Sequence, residues 1–206
     1  MKKILGLLLV FTVLLTSCAK NNEETLPPTD TKETKTTENI EPVEKSVLEI
    51  NGNDVLIGES GLKFTIPENY VQYSDEEVLE TLEYGNEALS SEMTEEEKTL
   101  YLDSTLVFEN SENYNSIQLM LDSTVGEITL EEFTEILSNP LAEETTVEKI
   151  EIEGIPANLT KYKLNLEEEE LFYTEIALVK GNDAFIAIFT TDNEGSMDNL
   201  IDNFSK

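Results

Sequence analysis

Residues equipped for chemistry are scarce in this chain, and the best-spaced of them is a serine. Ser60-Gly61-Leu62-Lys63 fits Ser-x-x-Lys, a spacing that lets a lysine amine take the proton of a nucleophilic hydroxyl. Ser111-Glu112-Asn113 and Lys180-Gly181 loosely echo the Ser-x-Asn and Lys-Thr-Gly elements that complete such a site. The context argues against catalysis: Ser60 falls in a turn leading to a strand, not at a helix start, and the Lys-Thr-Gly element is broken. With no His and one Cys, the chain lacks a Ser-His-Asp or Cys-His site and any His-ligated metal. Its glycines are scattered at turns, so no phosphate loop forms. Oxygen-rich clusters remain. Glu167 to Glu170 and Asp192-Asn193-Glu194-Gly195 with Asp198 offer carboxylates of the kind hard cations take. The second cluster misses the alternating Asp-x-Asp-x-Asp-Gly spacing, and charge runs at hairpin tips are usually solvated. Asp192, Glu194 and Asp198 are therefore weak metal candidates; no metal site, no cofactor and no catalytic residue is assigned.

Cys18 carries the clearest signal. Lys2 and Lys3 precede an apolar run from Ile4 to Leu15, and Leu15-Thr16-Ser17-Cys18 follows at once. That run is shorter than the roughly 18 apolar residues a spanning helix needs, and its basic start and polar end are those of a signal peptide. Leu-Thr-Ser-Cys resembles the motif after which lipoprotein signal peptidase cuts, once the thiol has been alkylated with diacylglycerol. Residues 1–17 are thus expected to be a signal peptide and Cys18 the lipidation site. Two acyl chains, at about 0.8 kcal/mol per buried CH₂, give stable anchoring. From Cys18 to about Ser46 the chain is rich in Thr, Glu, Lys and Pro with no periodic apolar positions. Such a stretch has nothing to repay the entropy of ordering, and it reads as a disordered acidic tether.

Charge restricts the partners. Thirteen Lys+Arg, all of them Lys, face 44 Asp+Glu, for a net charge of -31. Repulsion of this size disfavours nucleic acid and bare anionic lipid, leaving cations, basic proteins or uncharged surfaces. The lone Cys excludes an intramolecular disulfide, so the domain is held by packing.

The elements that position these residues occupy 47–206, read as a single domain. Val47 to Ile50 and Val55 to Ile57 flank Asn51-Gly52-Asn53-Asp54, a hairpin signal. Leu62, Phe64 and Ile66 alternate with polar residues in a further strand. Three Ser/Thr-x-x-Glu capping boxes, Ser74/Glu77, Thr94/Glu97 and Thr129/Glu132, open three helices. Strands are expected near Leu106 to Glu109 and Ile117 to Leu121. Leu171 to Val179 and Ala184 to Phe189 approach continuous apolar runs, the pattern of strands covered on both faces. Met197, Leu200, Ile201 and Phe204, at i, i+3, i+4 and i+7, predict a closing amphipathic helix. Tyr70, Tyr73, Tyr84 and Tyr101 read as core or core-edge aromatics rather than the walls of a pocket. The fold expected is α+β: a mostly antiparallel sheet with helices on both faces, a three-layer α/β/α sandwich.

The order of elements resembles the superfamily of the PsbP extrinsic proteins of photosystem II and the Ran-binding nuclear import factor, which includes small bacterial lipoproteins. Gly61-Leu62-Lys63-Phe64-Thr65-Ile66-Pro67-Glu68-Asn69-Tyr70 resembles the family's opening strand and Ile-Pro-x-x-Trp turn, with Tyr70 in place of Trp. Gly154-Ile155-Pro156-Ala157 followed by Tyr162 is similar to its mid-domain strand entry. Ile176 to Phe189 with Asn203-Phe204 looks like its closing hairpin and helix, Asn203 standing where Ser is common. The resemblance implies a PsbP-like fold and a non-catalytic binding or assembly role, and carries no ligand residue over. The expectation is a monomeric, non-enzymatic lipoprotein on the extracytoplasmic face of the cell membrane. It would contact the membrane through lipid on Cys18 and bind a protein or envelope component. A cation- or small-ligand-binding lipoprotein is the alternative.

A chain beginning at Ser46 is expected to melt at the same temperature as the mature chain, because the removed segment has no apolar face to bury. A clearly lower melting temperature in circular dichroism would show that the tail docks on the domain.

Overall fold

The computed structural model describes residues 47–89, 93–113, 115–123, 128–139, 141–166, 169–193 and 200–206. The N-terminal hairpin forms as its turn residues dictate: β1 (Leu48–Asn51) pairs antiparallel with β2 (Asp54–Ile57), in register Leu48 to Ile57. A short 3-10 turn over Gly58–Ser60 reverses the chain into β3 (Leu62–Thr65), which pairs with β2. Next come β4 (Tyr70–Gln72), α1 (Asp75–Leu89), α2 (Glu95–Ser104), β5 (Thr105–Asn110), β6 (Ser116–Asp122) and α3 (Leu130–Ile136). The last third is β7 (Glu143–Ile152), β8 (Ile155–Leu166), β9 (Glu169–Lys180), β10 (Asp183–Thr191) and β11 (Phe204–Ser205).

All three helices start at the expected boxes. Glu77, Glu97 and Glu132 each accept the backbone N–H of Ser74, Thr94 and Thr129, at 2.7, 2.7 and 2.9 Å. In return the capping hydroxyls accept the N–H of those glutamates. These bonds favour the charged form, so all three carboxyls titrate below the usual carboxylate range.

Two antiparallel sheets result, ordered β1-β2-β3-β11 and β4-β5-β6-β10-β9-β8-β7. Alternation sorts the large sheet's side chains into two cores. Ile176 and Leu178 of β9, with Phe185, Ala187 and Phe189 of β10, meet Val55, Ile57, Leu62, Phe64 and Phe204 of the small sheet. On the other face Tyr173 and Ala177, with Ala184, Ile186 and Ile188, meet Val78 and Leu82 of α1, Tyr101 of α2 and Phe133 of α3. Phe64 sits at the centre of the first core, its ring 5.1 Å from Phe204 and 6.0 Å from Phe189. Two hydrogen bonds join the layers at the β9–β10 turn: the Lys180 ammonium donates to the Ser60 carbonyl, and Glu59 N–H donates to Asp183 at 3.0 Å.

This architecture corrects the expected three-layer α/β/α sandwich. The described protein is mostly antiparallel strand in two sheets with three short helices, and those helices cover one face only. The small sheet covers the other. Strands β1 to β3 read correctly as strands, but pairing is a tertiary choice. Leu62 and Phe64 bury one face while Lys63 and Thr65 stay half-exposed, which suits a separate sheet laid over the first as well as a strand within it. The closing helix is corrected too. Residues 194–199 lie outside the described residues; Leu200–Asn203 form a 3-10 turn, and Phe204 pairs with Phe64 as an added strand. Burying the Phe204 ring against Phe64 and Phe185 outweighs a helical period carried by so few residues.

At the far edge of the large sheet, β7 is long and mostly exposed, and it carries Glu143, Glu144, Glu148, Lys149 and Glu151. Its register slips between Glu143 and Thr146, with Glu144 at φ 54° and held 2.7 Å from Lys163. Charges and a bulge are how a free edge resists pairing with another chain. The β7–β8 turn places both Glu153 (φ 53°) and Gly154 (φ 82°) in the left-handed region, the geometry of a two-residue type I′ hairpin.

Phe64→Ala is expected to cost about 3–5 kcal/mol in urea unfolding, the range for deleting a fully buried aromatic ring. Val71→Ala, at an exposed position of β4, should stay within about 0.5 kcal/mol of the parent. Equal losses would show that the small sheet does not close the core.

Candidate functional site

The Ser-x-x-Lys spacing at Ser60 does not bring its lysine to the hydroxyl. Ser60 is buried, its hydroxyl donates to the Ile57 carbonyl at 2.5 Å and accepts Leu62 N–H at 3.0 Å, and Lys63 turns to Asp54 at 3.8 Å. Lys180 does reach Ser60, but at its carbonyl, so the hydroxyl is a turn-former rather than a nucleophile. Ser111 and Glu112 hold Asn69 instead, Ser111 N–H donating to the Asn69 carbonyl at 3.0 Å and the Asn69 amide to Glu112 at 3.5 Å. Asp192 is exposed, while Glu194, Asp198 and Cys18 lie outside the described residues. Among the described residues no group of three His, Cys, Asp or Glu side chains is placed to hold a metal ion. Nor is any described helix long and apolar enough to cross a membrane. Of the four singled-out tyrosines, Tyr101 is buried and Tyr70 and Tyr73 are half-buried, the last donating to Glu109 at 2.5 Å; the side chain of Tyr84 lies outside the described residues.

Polar chemistry gathers elsewhere, on the helix-covered face of the large sheet. Glu175 in β9 is 3% exposed. Its partner is the Tyr162 hydroxyl, which donates to Oε1 at 2.6 Å. Tyr162 and Tyr173, opposite one another on β8 and β9, stack with ring centroids 4.9 Å apart and planes 2° apart. One row along β8, Asn158 donates to the Thr134 hydroxyl of α3 at 2.8 Å. Two strands from Glu175, the Gln118 amide donates to the Tyr101 hydroxyl at 3.2 Å and to the Met120 sulfur at 3.2 Å. The carbonyl oxygens of both amides, Gln118 Oε1 and Asn158 Oδ1, are buried without a hydrogen-bond partner among the described residues. An orphaned buried acceptor costs about 1–3 kcal/mol.

Electrostatics follow from this geometry. Burial pushes the Glu175 carboxyl up to about 7, against a smaller opposing effect of the Tyr162 hydrogen bond. Burial also raises Tyr162 far above the phenol range, with the Glu175 charge adding to it, and raises Tyr173 for the same two reasons. A carboxyl poised near neutrality has the acidity of a general acid or base. At 3% exposure, however, it does not present itself to a substrate from solvent.

Glu175, Tyr173, Gln118 and Asn158 were not singled out from the sequence, where Tyr101 was read as a core aromatic and Tyr162 as part of a strand entry. A signal was there: Glu175 is the one charged residue in the apolar run Leu171 to Val179, read as a strand buried on both faces. A carboxyl in such a run has to be buried, and a buried carboxyl has to be neutral or paired.

No protein-family model and no curated protein matches the sequence. Among solved structures, a Bacteroides thetaiotaomicron protein aligns with TM-score 0.42 and 13% identity over 68% of this chain. The alignment spans 41% of that longer protein. A Pseudomonas aeruginosa protein of unknown function aligns with TM-score 0.38 and 16% identity, over 46% of this chain and 72% of its own. Likenesses this distant carry no functional argument.

The raised acidity of Glu175 ties stability to pH. Its folded state holds the proton more tightly than the unfolded chain does. The contribution is therefore fully present below the ordinary carboxylate range and is lost as pH rises through about 7. Glu175→Gln keeps the shape and removes the titration. The variant should gain on the parent with rising pH, by on the order of 3 kcal/mol once Glu175 is ionised. A stability gap that stays constant from acid to alkaline pH would refute the assignment.

Proposed function

We propose that the protein is a lipid-anchored lipoprotein of the extracytoplasmic membrane face, and that its acidic domain is a non-enzymatic binding or assembly module for a protein or envelope component. The observation that carries this reading is Leu15-Thr16-Ser17-Cys18, directly after a basic and apolar leader and containing the only thiol in the chain. Lipid on Cys18 would place residues 47–206 at the membrane surface on a tether too polar to fold on its own. The chemistry of the described residues supports a binding role. The one well-spaced serine has its hydroxyl committed to a turn, and Glu175, the carboxyl raised toward neutrality, is closed off beneath the helices. A net charge of -31 favours a basic or uncharged partner surface. The stretches that resemble PsbP-like proteins agree with this role, because that family binds and assembles more than it catalyses.

Cys18→Ala should abolish metabolic labelling with a fatty acid and leave uncleaved precursor or protein shed into the medium. Labelling equal to that of the parent would remove the basis for the anchor.

A further inference from the structure

Helix α3 is short and is seated on β8 and β9. Its seven residues bury Phe133, and Leu137 at its end, and they reach the sheet through Thr134, which accepts the Asn158 amide. Leu130 also packs on this core, half-buried, while the ion pair of Lys149 with Glu131 at 2.9 Å is solvent-exposed on both sides and contributes little. Beneath the helix, on β8 and β9, lie Tyr162, Tyr173 and Glu175, all closed to solvent. We propose that α3 is a pH-operated flap, seated on β8 and β9 while Glu175 is protonated and released when Glu175 ionises, which uncovers Phe133 and Leu137.

The charges around Glu175 make the two states unequal. From above, α3 brings no cation: its charged residues are Glu131, Glu132 and Glu135, all exposed to solvent, with Glu131 paired to Lys149 and Glu132 closing the Thr129 cap. From β8 the facing group is Tyr162, while Lys161 and Lys163 alternate to the opposite face, Lys163 ion-paired to Glu144 and Glu170. On β9 itself the neighbour is Tyr173, and Lys180 is committed to Ser60 at the far end. Lys149 of β7 is drawn to Glu131, Asp183 of β10 accepts Glu59 N–H, and Tyr101 and Lys98 of α2 engage Gln118 and Glu95. Of the acids of α1, Asp75, Glu76, Glu77 and Glu80 are exposed to solvent, and the side chains of Glu83 and Glu87 lie outside the described residues. Among the described residues no cation thus faces Glu175, and an ionised carboxylate keeps one donor, the Tyr162 hydroxyl. Water is the remaining source of solvation, and α3, the helix seated on β8 and β9, is the cover that must move to admit it. Burial holds the protonated form up to about neutrality, which places the transition in an accessible range. Local opening of one short element needs less free energy than global unfolding, so the rest of the sheet stays closed.

Hydrogen exchange of the full-length protein, followed by mass spectrometry from mildly acid to mildly alkaline pH, tests the flap. After correction for intrinsic exchange, protection of the amides of residues 133–138 should fall at least about tenfold with rising pH, while β10 keeps its own. In Glu175→Gln the α3 protection should stay flat. Tyr162→Phe removes the hydroxyl that favours the ionised form, so its midpoint should move to higher pH. A parallel loss in α3 and β10, no loss in α3, or a loss in Glu175→Gln like that of the parent would overturn the proposal. Should Glu175→Gln fail to fold, the Tyr162→Phe midpoint decides, and an unmoved or lowered midpoint also overturns it.

Discussion

Strand β10 has all nine residues buried, so each of its faces needs an apolar cover of its own. Most of the remaining architecture answers to that demand. Alternation sends Phe185, Ala187 and Phe189 one way and Ala184, Ile186 and Ile188 the other, and neither set can face water. The chain supplies two unlike covers, a four-stranded sheet drawn from both ends of the folded part and three helices drawn from its middle. With one Cys in the chain, no disulfide shares the task. Packing around Phe64, which joins β3, β10 and β11 through ring contacts, is what holds the small sheet in place.

The helical cover differs in kind from the sheet cover. Under the small sheet the core is apolar at its centre, with the buried polar Ser60 and Asp183 hydrogen-bonded at the β9–β10 turn. Under the helices it is interrupted by Glu175, Gln118, Asn158 and Tyr162, with two amide oxygens that have no partner among the described residues. A fold selected for stability alone would place apolar residues there, since filling the same volume with them removes the desolvation cost. The polar row makes this face the weaker of the two and ties its strength to a proton. Glu175 belongs to the same strand as Ile176 and Leu178, so one strand is fully closed on one side and conditionally closed on the other.

An excess of carboxylates is managed at the helix starts. Glu77, Glu97 and Glu132 close their capping boxes, and further acids occupy each first turn, where the helix dipole and free N–H groups favour negative charge. No basic residue sits in the last turn of any of the three helices. Lysines are spent on local ties instead, such as Lys163 with Glu144 and Glu170 at the β7 bulge.

Much of this was legible in the residues. Capping boxes at Ser74, Thr94 and Thr129 located three helix starts, because the signal lies within four residues and owes nothing to the rest of the fold. Hairpin turns at Gly52 and Gly181 were equally local. The continuous apolar run of Ala184 to Phe189 announced a strand buried on both faces. What covers each face was not written there. Strands β1 to β3 and residues 200–204 carry patterns that suit more than one layer, and only contact with Phe64 and Phe185 decides that Phe204 ends as a strand. The site was half-legible: Glu175 stood out as a charge in an apolar run, but its isolation from every described lysine depends on which neighbours alternation turns away. Sequence fixes the local geometry of elements because short-range sterics and hydrogen bonds set it. Layering and the acidity of a buried group depend on residues far apart in the chain, so the tertiary structure decided them.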